Sequence, residues 1–390
     1  MKVALSTMLM GTLLAGFPTF PAVTPQDLPF TDSRWTLTGD RTTVAKDGGR
    51  DVLLVETGFG HRKDVSFENG TIEFDVQLTR RRSFVYVYFR VAADGEREEF
   101  YLRPHKSGLP DAVQYAPVWQ GRSAWQLHHG AGRTAAVEFE PGAWTRLRVV
   151  VQGGRAALFV GDMTKPALLV PRLAREPRAG SIALGGFLPA GVPGDGPIAK
   201  FANVVIRPGE VPFDLAAAAA TRQGDPPADT ATTRVVGAWS VSQSFVPQPA
   251  AVPALPGPDV TRAFTRLDAG AGGLLELHRH VRVPEARGPA AAVARIRVRA
   301  PEAGLRAFDL GFSDIATVFL NGRPIFQGDQ SYSFDRPRRE GLIGFDQARL
   351  YLPLEAGDNE LAVIVSDSFG GWGVMGRFLD GRGLTIDAGR

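Results

Sequence analysis

Apolar and polar residues alternate along most of this chain. In GTIEFDVQL (Gly70 to Leu78), FVYVYFRV (84–91) and EFYLRPH (99–105) nearly every second residue is apolar, and WTRLRVVV, AALFVGD and AKFANVVI continue the pattern to Ile206. Period-two alternation sends successive side chains to opposite faces of an extended chain, so each run predicts a strand with one face on a core. Gly, Pro, Asp and Asn clusters separate the runs, as in an all-β sandwich or barrel. The one helix-like piece, DLAAAAATRQ at 214–223, leads into DPPADTATT, an Ala, Pro and Asp-rich stretch that reads as an interdomain connection. A second set of runs follows from GAWSVSQSF through LLELHRHVRV, AVARIRVRA, LRAFDLGFSD, ATVFLNGRPIF, ARLYLPL and NELAVIVSD. Asn321-Gly322 within it predicts a tight hairpin, because both residues tolerate positive φ. The expected fold class is all-β: two β-sandwich (jelly-roll) domains, 28–207 and 232–390, joined by a linker at 208–231.

The first residues read differently. Lys2 is followed by an uncharged run to Gln26 that contains VALSTMLMGTLLAGF, the charged-then-apolar order of a secretory signal and too short for a comfortable membrane span. Residues 1–24 are expected to be a signal peptide and the protein to be exported, periplasmic or secreted. The 390 residues include no cysteine, which excludes disulfides and thiolate metal sites. The net charge of +3 comes with arginines spread along the chain, and only Arg80 to Arg82 form a run, between two strands, where a solvated turn is expected. Nucleic-acid binding and a membrane-spanning role are not expected.

Sorting the early strands by face gives the candidate chemistry. Glu73, Asp75 and Gln77 share one face of their strand. Tyr86, Tyr88 and Arg90 share a face opposite Val85, Val87, Phe89 and Val91, and Tyr101, Arg103 and His105 oppose Phe100 and Leu102. Together they make either a ligand face, with aromatic rings for sugar C–H surfaces and polar groups for hydroxyls, or a solvent-exposed sheet face built from good strand residues.

GTIEFDVQL, the VYFRV strand and PGAWTRLRVVVQGGRAALFVGD together resemble concanavalin A-like lectin/glucanase domains of the laminin-G type, and the related sandwich of 3-keto-disaccharide hydrolase-type domains. The resemblance covers roughly residues 30–207, and it implies a fold shared by lectins, glucanases and adhesion modules. The laminarinase-like members carry E-x-D-x-E or E-x-D-x-x-E, with the first Glu as nucleophile and the last as acid/base. Glu73 and Asp75 match the first two places, but the third falls on Gln77 or Leu78, neither of which can protonate a leaving group. No catalytic residue is therefore assigned; a glutamate elsewhere, such as Glu99, is the substitute an enzyme would need.

VFLNGRPIF and LYLPLEAGDNELAVIVSD resemble galactose-binding-like jelly rolls over about 232–390, domains that accompany many glycoside hydrolases. In this half Trp372, flanked by glycines in SFGGWGVMGRF, is either a sugar platform or a plug in the core or the interdomain seam. His278 and His280 share a face if their segment is a strand, a spacing compatible with metal ligation, but no third ligand is visible and a solvated face is expected. His128 and His129 are adjacent and point apart. No metal site and no cofactor are expected, with a structural calcium on Asp329 and Asp367 as the one reading left open. The expected function is carbohydrate binding without catalysis, on Glu73, Asp75, Tyr86, Tyr88, Arg90, Tyr101, Arg103 and Trp372. The alternatives are a glycoside hydrolase or lyase acting on a (keto-)saccharide, and an extracytoplasmic scaffold for a protein partner.

Overall fold

A computed structural model describes residues 24–220, 232–247, 253–283, 289–333 and 340–389. The expected signal peptide lies outside these residues except for Thr24, as does the 221–231 part of the expected linker.

The fold is all-β apart from a few short helical turns. Residues 26–170 and 180–208 supply one 14-stranded antiparallel sheet. This sheet curls on itself, since the inward side chains of Gly70–Leu78 (Ile72, Phe74, Val76) and of Phe84–Val91 (Val85, Val87, Phe89) meet in one core. Two further sheets, of five and seven strands, enclose a separate core that includes Trp239, Phe308 and Trp372. Two cores in one chain, each faced by strands with alternating burial, give the two sandwiches that the patterning predicts.

Local chemistry explains the turns. Asn321 and Gly322 both have positive φ (51° and 76°) and join Ile315–Leu320 to Arg323–Asp329 in the expected hairpin. The helix Leu215–Ala220 starts at Asp214, whose carboxylate accepts the amides of Ala216 and Ala217 at 3.0 and 2.9 Å. Leu215 packs with Val150, Ala157, Phe159 and Leu169, so this part of the connection lies against the first sandwich. LLELHRHVRV differs from its expected strand: pairing stops after Leu275–Glu276 and Leu277–His280 forms a helical turn. Leu277 and Val281, four apart and both buried, have the spacing of a turn.

The segment Trp119 to His129 meets the second sandwich along a hydrogen-bonded seam. Trp119 Nε1 donates to Glu276 at 3.0 Å, and Gln120 Nε2 donates to the carbonyls of His278 and Val281 at 2.7 and 2.8 Å. Ala124 and Leu127 pack with Ile343 between them.

Candidate functional site

The Glu73 pair stands on the outer face of the sheet opposite the first core, and arginines fill that face. Antiparallel pairing puts Arg148 across from Glu73 and Arg146 across from Asp75. Glu73 accepts from Arg146 Nη2 at 2.5 Å and from Arg148 Nε at 2.6 Å, with Arg207 Nη1 3.3 Å away. Asp75 accepts from Arg146 Nη1 at 3.1 Å and Asn203 Nδ2 at 2.6 Å. Burial pushes the Glu73 carboxyl up, but the hydrogen bonds from Arg146 and Arg148 outweigh it and hold the group below its ordinary range. A carboxylate so occupied neither attacks a sugar carbon nor protonates a leaving group, and it offers little to a ligand hydroxyl.

The other half of the same sheet carries an aromatic face. Its strands pair so that Phe59, Gly185, Tyr86, Tyr101 and Gln114 form one row across the sheet, and His61, Ala183, Tyr88, Glu99 and Ala116 the next. The rings touch in sequence. Phe59 stacks on Tyr88 at 4.7 Å between centroids, Tyr86 lies 5.5 Å from Tyr88 and 5.4 Å from Tyr101, and Phe84 lies 6.3 Å from Phe187 and 5.5 Å from His105. Gly185 makes room for this: a Cβ there would come within 2.3 Å of the Phe59 ring.

Depth divides the tyrosines. Tyr88 and Tyr101 are only 7% and 3% exposed, so they support the face from beneath and are not the free contacts expected of them. Arg97 covers Tyr88 at 4.0 Å, and the Tyr101 hydroxyl donates to Gln114 at 2.6 Å. Gln114 in turn donates to the carbonyls of Trp125 and His128, so the loop that carries the seam is what closes over this edge of the face. Tyr86, Phe59, Phe84 and His61 are half-buried, and Phe187 is 45% exposed. Burial, aided by Lys63 and Arg97, lowers the His61 pKa, and burial with Arg82, Arg103 and Lys106 lowers that of His105 to about 4. Both rings are therefore uncharged at neutral pH, and the charge nearest the rings is the Arg97 guanidinium over Tyr88.

Glu99 is the acid of this face. It is fully buried beside Tyr88, accepts from Ser123 Oγ at 2.6 Å, and has Arg97 3.5 Å from its other oxygen. Burial raises its pKa against the opposing effect of Arg97.

Three further sequence-predicted contacts are not free: Arg90 and Trp372 lie elsewhere, and Arg103 is held at the edge of the face, 5.1 Å over the Tyr101 ring. Arg90 leaves the tyrosine face because Phe89 and Arg90 together oppose Ile182 in a bulge, and Arg90 has φ 54°. Its Nε and Nη2 donate to the carbonyls of Glu68 and Gly153, both at 2.8 Å, tying two turns together. Arg103 is buried, bound to Asp111 at 3.0 Å and to Gln114. Trp372 is fully buried, with its indole N–H on the Val365 carbonyl at 3.0 Å and His278 packed edge-on at 5.5 Å; it is a plug, not a platform.

The histidines divide as well. His278 turns inward onto Asp367 at 3.0 Å, which also takes Arg122, while His280 is exposed on the far side of the helical turn. His128 lies 3.2 Å from Glu276, and His129 Nε2 donates to the Ile343 carbonyl at 2.7 Å. Asp329 accepts the Ser331 amide at 2.9 Å, and no group of three metal-ligating side chains occurs among the described residues. The arginine run does more than solvate a turn: Arg81 donates to the carbonyls of Pro193 and Gly196, and Arg82 to the Tyr332 hydroxyl of the second sandwich, each at 2.7 Å. Sequence patterning missed Phe59, Phe84 and Phe187; the signal for the first was GFGH, an aromatic between two glycines in a long alternating strand.

No family model matches the sequence, and no curated protein does. Among solved structures, a carbohydrate-binding module from Bacillus subtilis aligns at 15% identity over 44% of this chain and 94% of its own, with TM-score 0.33. A Bacillus licheniformis beta-glucanase aligns at 12% identity over 49% and 95%, also with TM-score 0.33. A family 35 carbohydrate-binding module from an environmental isolate aligns at 19% identity over 26% and 73%, with TM-score 0.19. At that distance these likenesses assign this chain neither a ligand nor an activity.

Proposed function

We propose that this chain binds carbohydrate through the aromatic face of the first sandwich and does not cleave it at the Glu73 pair. The observation that carries the reading is the contiguous array Phe59, Tyr86, Phe84 and Phe187, which is open on one side and packed on Tyr88 and Tyr101 from below. Rings held by their neighbours lose little freedom on binding and offer flat apolar area to the C–H faces of sugar rings.

The test is a glycan array followed by calorimetry on the best ligand. Phe187→Ala and Tyr86→Ala are expected to weaken binding at least tenfold each, on the order of 1.4 kcal/mol. If the double variant binds as wild type does, the reading fails. Glu99 favours a second reading, hydrolysis on the same face, because it is a carboxyl with a raised pKa beside the tyrosines. Reducing-sugar release by wild type that disappears in Glu99→Gln supports that alternative; no release from any polysaccharide bound by the protein removes it.

A further inference from the structure

A cleft of about 440 Å³ opens where the two sandwiches meet, its walls mostly apolar with a few charged side chains set among them. The first sandwich supplies Arg103, Lys106, Asp111 and His129, and the second supplies Glu340 and Leu342. Lys106 Nζ bridges the halves, 2.5 Å from Asp111 Oδ2 and 2.8 Å from Glu340 Oε1. Arg103, nearly fully buried, spends its two terminal nitrogens on Asp111 and Gln114, while its Nε–H has no partner among the described residues. His129 donates its Nε2–H to the Ile343 carbonyl, which can only accept. Leu109, 51% exposed, and Pro110 add apolar surface to the same cleft.

We propose that this seam cleft is a binding site for a neutral polyhydroxylated ligand, the class of a monosaccharide or the end of a glycan, separate from the aromatic face. The charges select the class. Two cations and two carboxylates cancel, so the cleft has no net field for a phosphate or carboxylate ligand. Their unused capacity is mixed. The Lys106 ammonium has a third proton, and Asp111 Oδ1 and Glu340 Oε2 accept no hydrogen bond from the described residues. A hydroxyl both donates and accepts, and adjacent sugar hydroxyls meet alternating donors and acceptors of this kind without leaving a charge unpaired. Leu109, Pro110 and Leu342 then face the C–H surface of the ring. Since both sandwiches furnish polar groups, the site is complete only in the full two-domain chain.

The site stands independently of the aromatic-face reading, and the experiment separates them. In the full chain carrying Tyr86→Ala and Phe187→Ala, glucose, galactose, N-acetylglucosamine and glucuronate are titrated by ligand-observed NMR. A neutral sugar is expected to bind this double variant, with glucuronate at least tenfold weaker. Adding Glu340→Ala or, separately, Lys106→Ala is expected to reduce that binding at least tenfold, in proteins whose melting temperatures are checked. Glu340→Gln, which keeps shape and acceptor but removes charge, is expected to retain part of it. The inference is overturned if none of the four sugars binds the double variant, if glucuronate binds best, or if Glu340→Ala and Lys106→Ala both leave affinity unchanged. Loss of all binding in the double variant leaves the aromatic face standing and removes only the seam site.

Discussion

Arg146 donates to Glu73 across two neighbouring strands, Nη2 to Oε2 at 2.5 Å, and its other terminal nitrogen reaches Asp75. The guanidinium fork thereby joins the two carboxylates that alternation puts on one face, and Arg148 and Arg207 complete the shell around Glu73. Glu73→Gln leaves three arginines partly uncompensated and is expected to cost about 2–3 kcal/mol of folding stability, with glycan binding unchanged. Because the folded-state pKa lies below its ordinary value of 4.5, the contribution is fully present above that pH and disappears as pH falls through the folded value. Urea titrations of wild type and variant should therefore show a steady gap above about pH 4.5 that narrows as pH falls below it. A gap that did not narrow would show that the carboxylate's charge is not what stabilises the site.

Glu98 carries the opposite sign. It points into the first core, where Tyr115 donates to it at 2.6 Å, and burial raises its pKa to about 7 from 4.5. The proton is retained in the folded chain after the unfolded chain has lost it. Stability therefore falls as pH rises from about 4.5 to 7, by about 3 kcal/mol in all, and is flat above. Glu98→Gln keeps an acceptor for Tyr115 and cannot ionise. The stability difference, variant minus wild type, should grow by about 2–3 kcal/mol between pH 5 and pH 8, read from urea unfolding. A pH-independent difference would place the carboxyl's ionisation elsewhere.

The tyrosines separate support from contact. Tyr88→Ala removes a buried ring stacked on Phe59 and is expected to cost 3 kcal/mol or more by order of magnitude, weakening binding only through the displaced Phe59. Tyr101→Phe removes one hydroxyl from Gln114, which keeps its bond from Arg103, and should cost about 1 kcal/mol. Phe187→Ala, at an exposed ring, should leave the melting temperature within about 2 °C and act on affinity. Calorimetric melting of the three variants beside their glycan titrations tests the division; equal destabilisation by all three would contradict it.

The fold was legible because alternation and turn chemistry are local. The runs at 70–78, 84–91 and 144–152 are strands with the expected faces inward, and Asn321-Gly322 closes its hairpin. The site was legible only to the level of a face. Alternation correctly grouped Tyr86, Tyr88 and Tyr101, but their depth depends on a loop from Trp119 to His129 that returns over the sheet, and nothing in the local pattern encodes that return. Arg90 was lost to one inserted residue, which reverses every later side chain in the strand. His278 was misplaced because a run of apolar and polar residues too short to show a period serves a strand or a helical turn equally well. The partners of Glu73 lie 73 and 75 residues away in the chain, out of reach of any motif.

Asp367 ties the two sandwiches together. Its carboxylate is fully buried in the second sandwich and takes His278 from the same sandwich at 3.0 Å together with Arg122 from the first. Trp119 on Glu276 and Gln120 on two carbonyls add to the same seam, so separating the domains would strand several buried polar groups at once. Wild type is therefore expected to unfold in a single calorimetric transition despite its two cores. Asp367→Asn removes the charge that compensates Arg122 and should cost about 3–5 kcal/mol, enough to split the transition or broaden it below its calorimetric enthalpy. Arg122→Ala on the Asp367→Asn background should add less than it costs alone, since the two share one interaction. Two resolved transitions in the wild-type protein, or additive costs in the double variant, would show that the seam does not couple the domains.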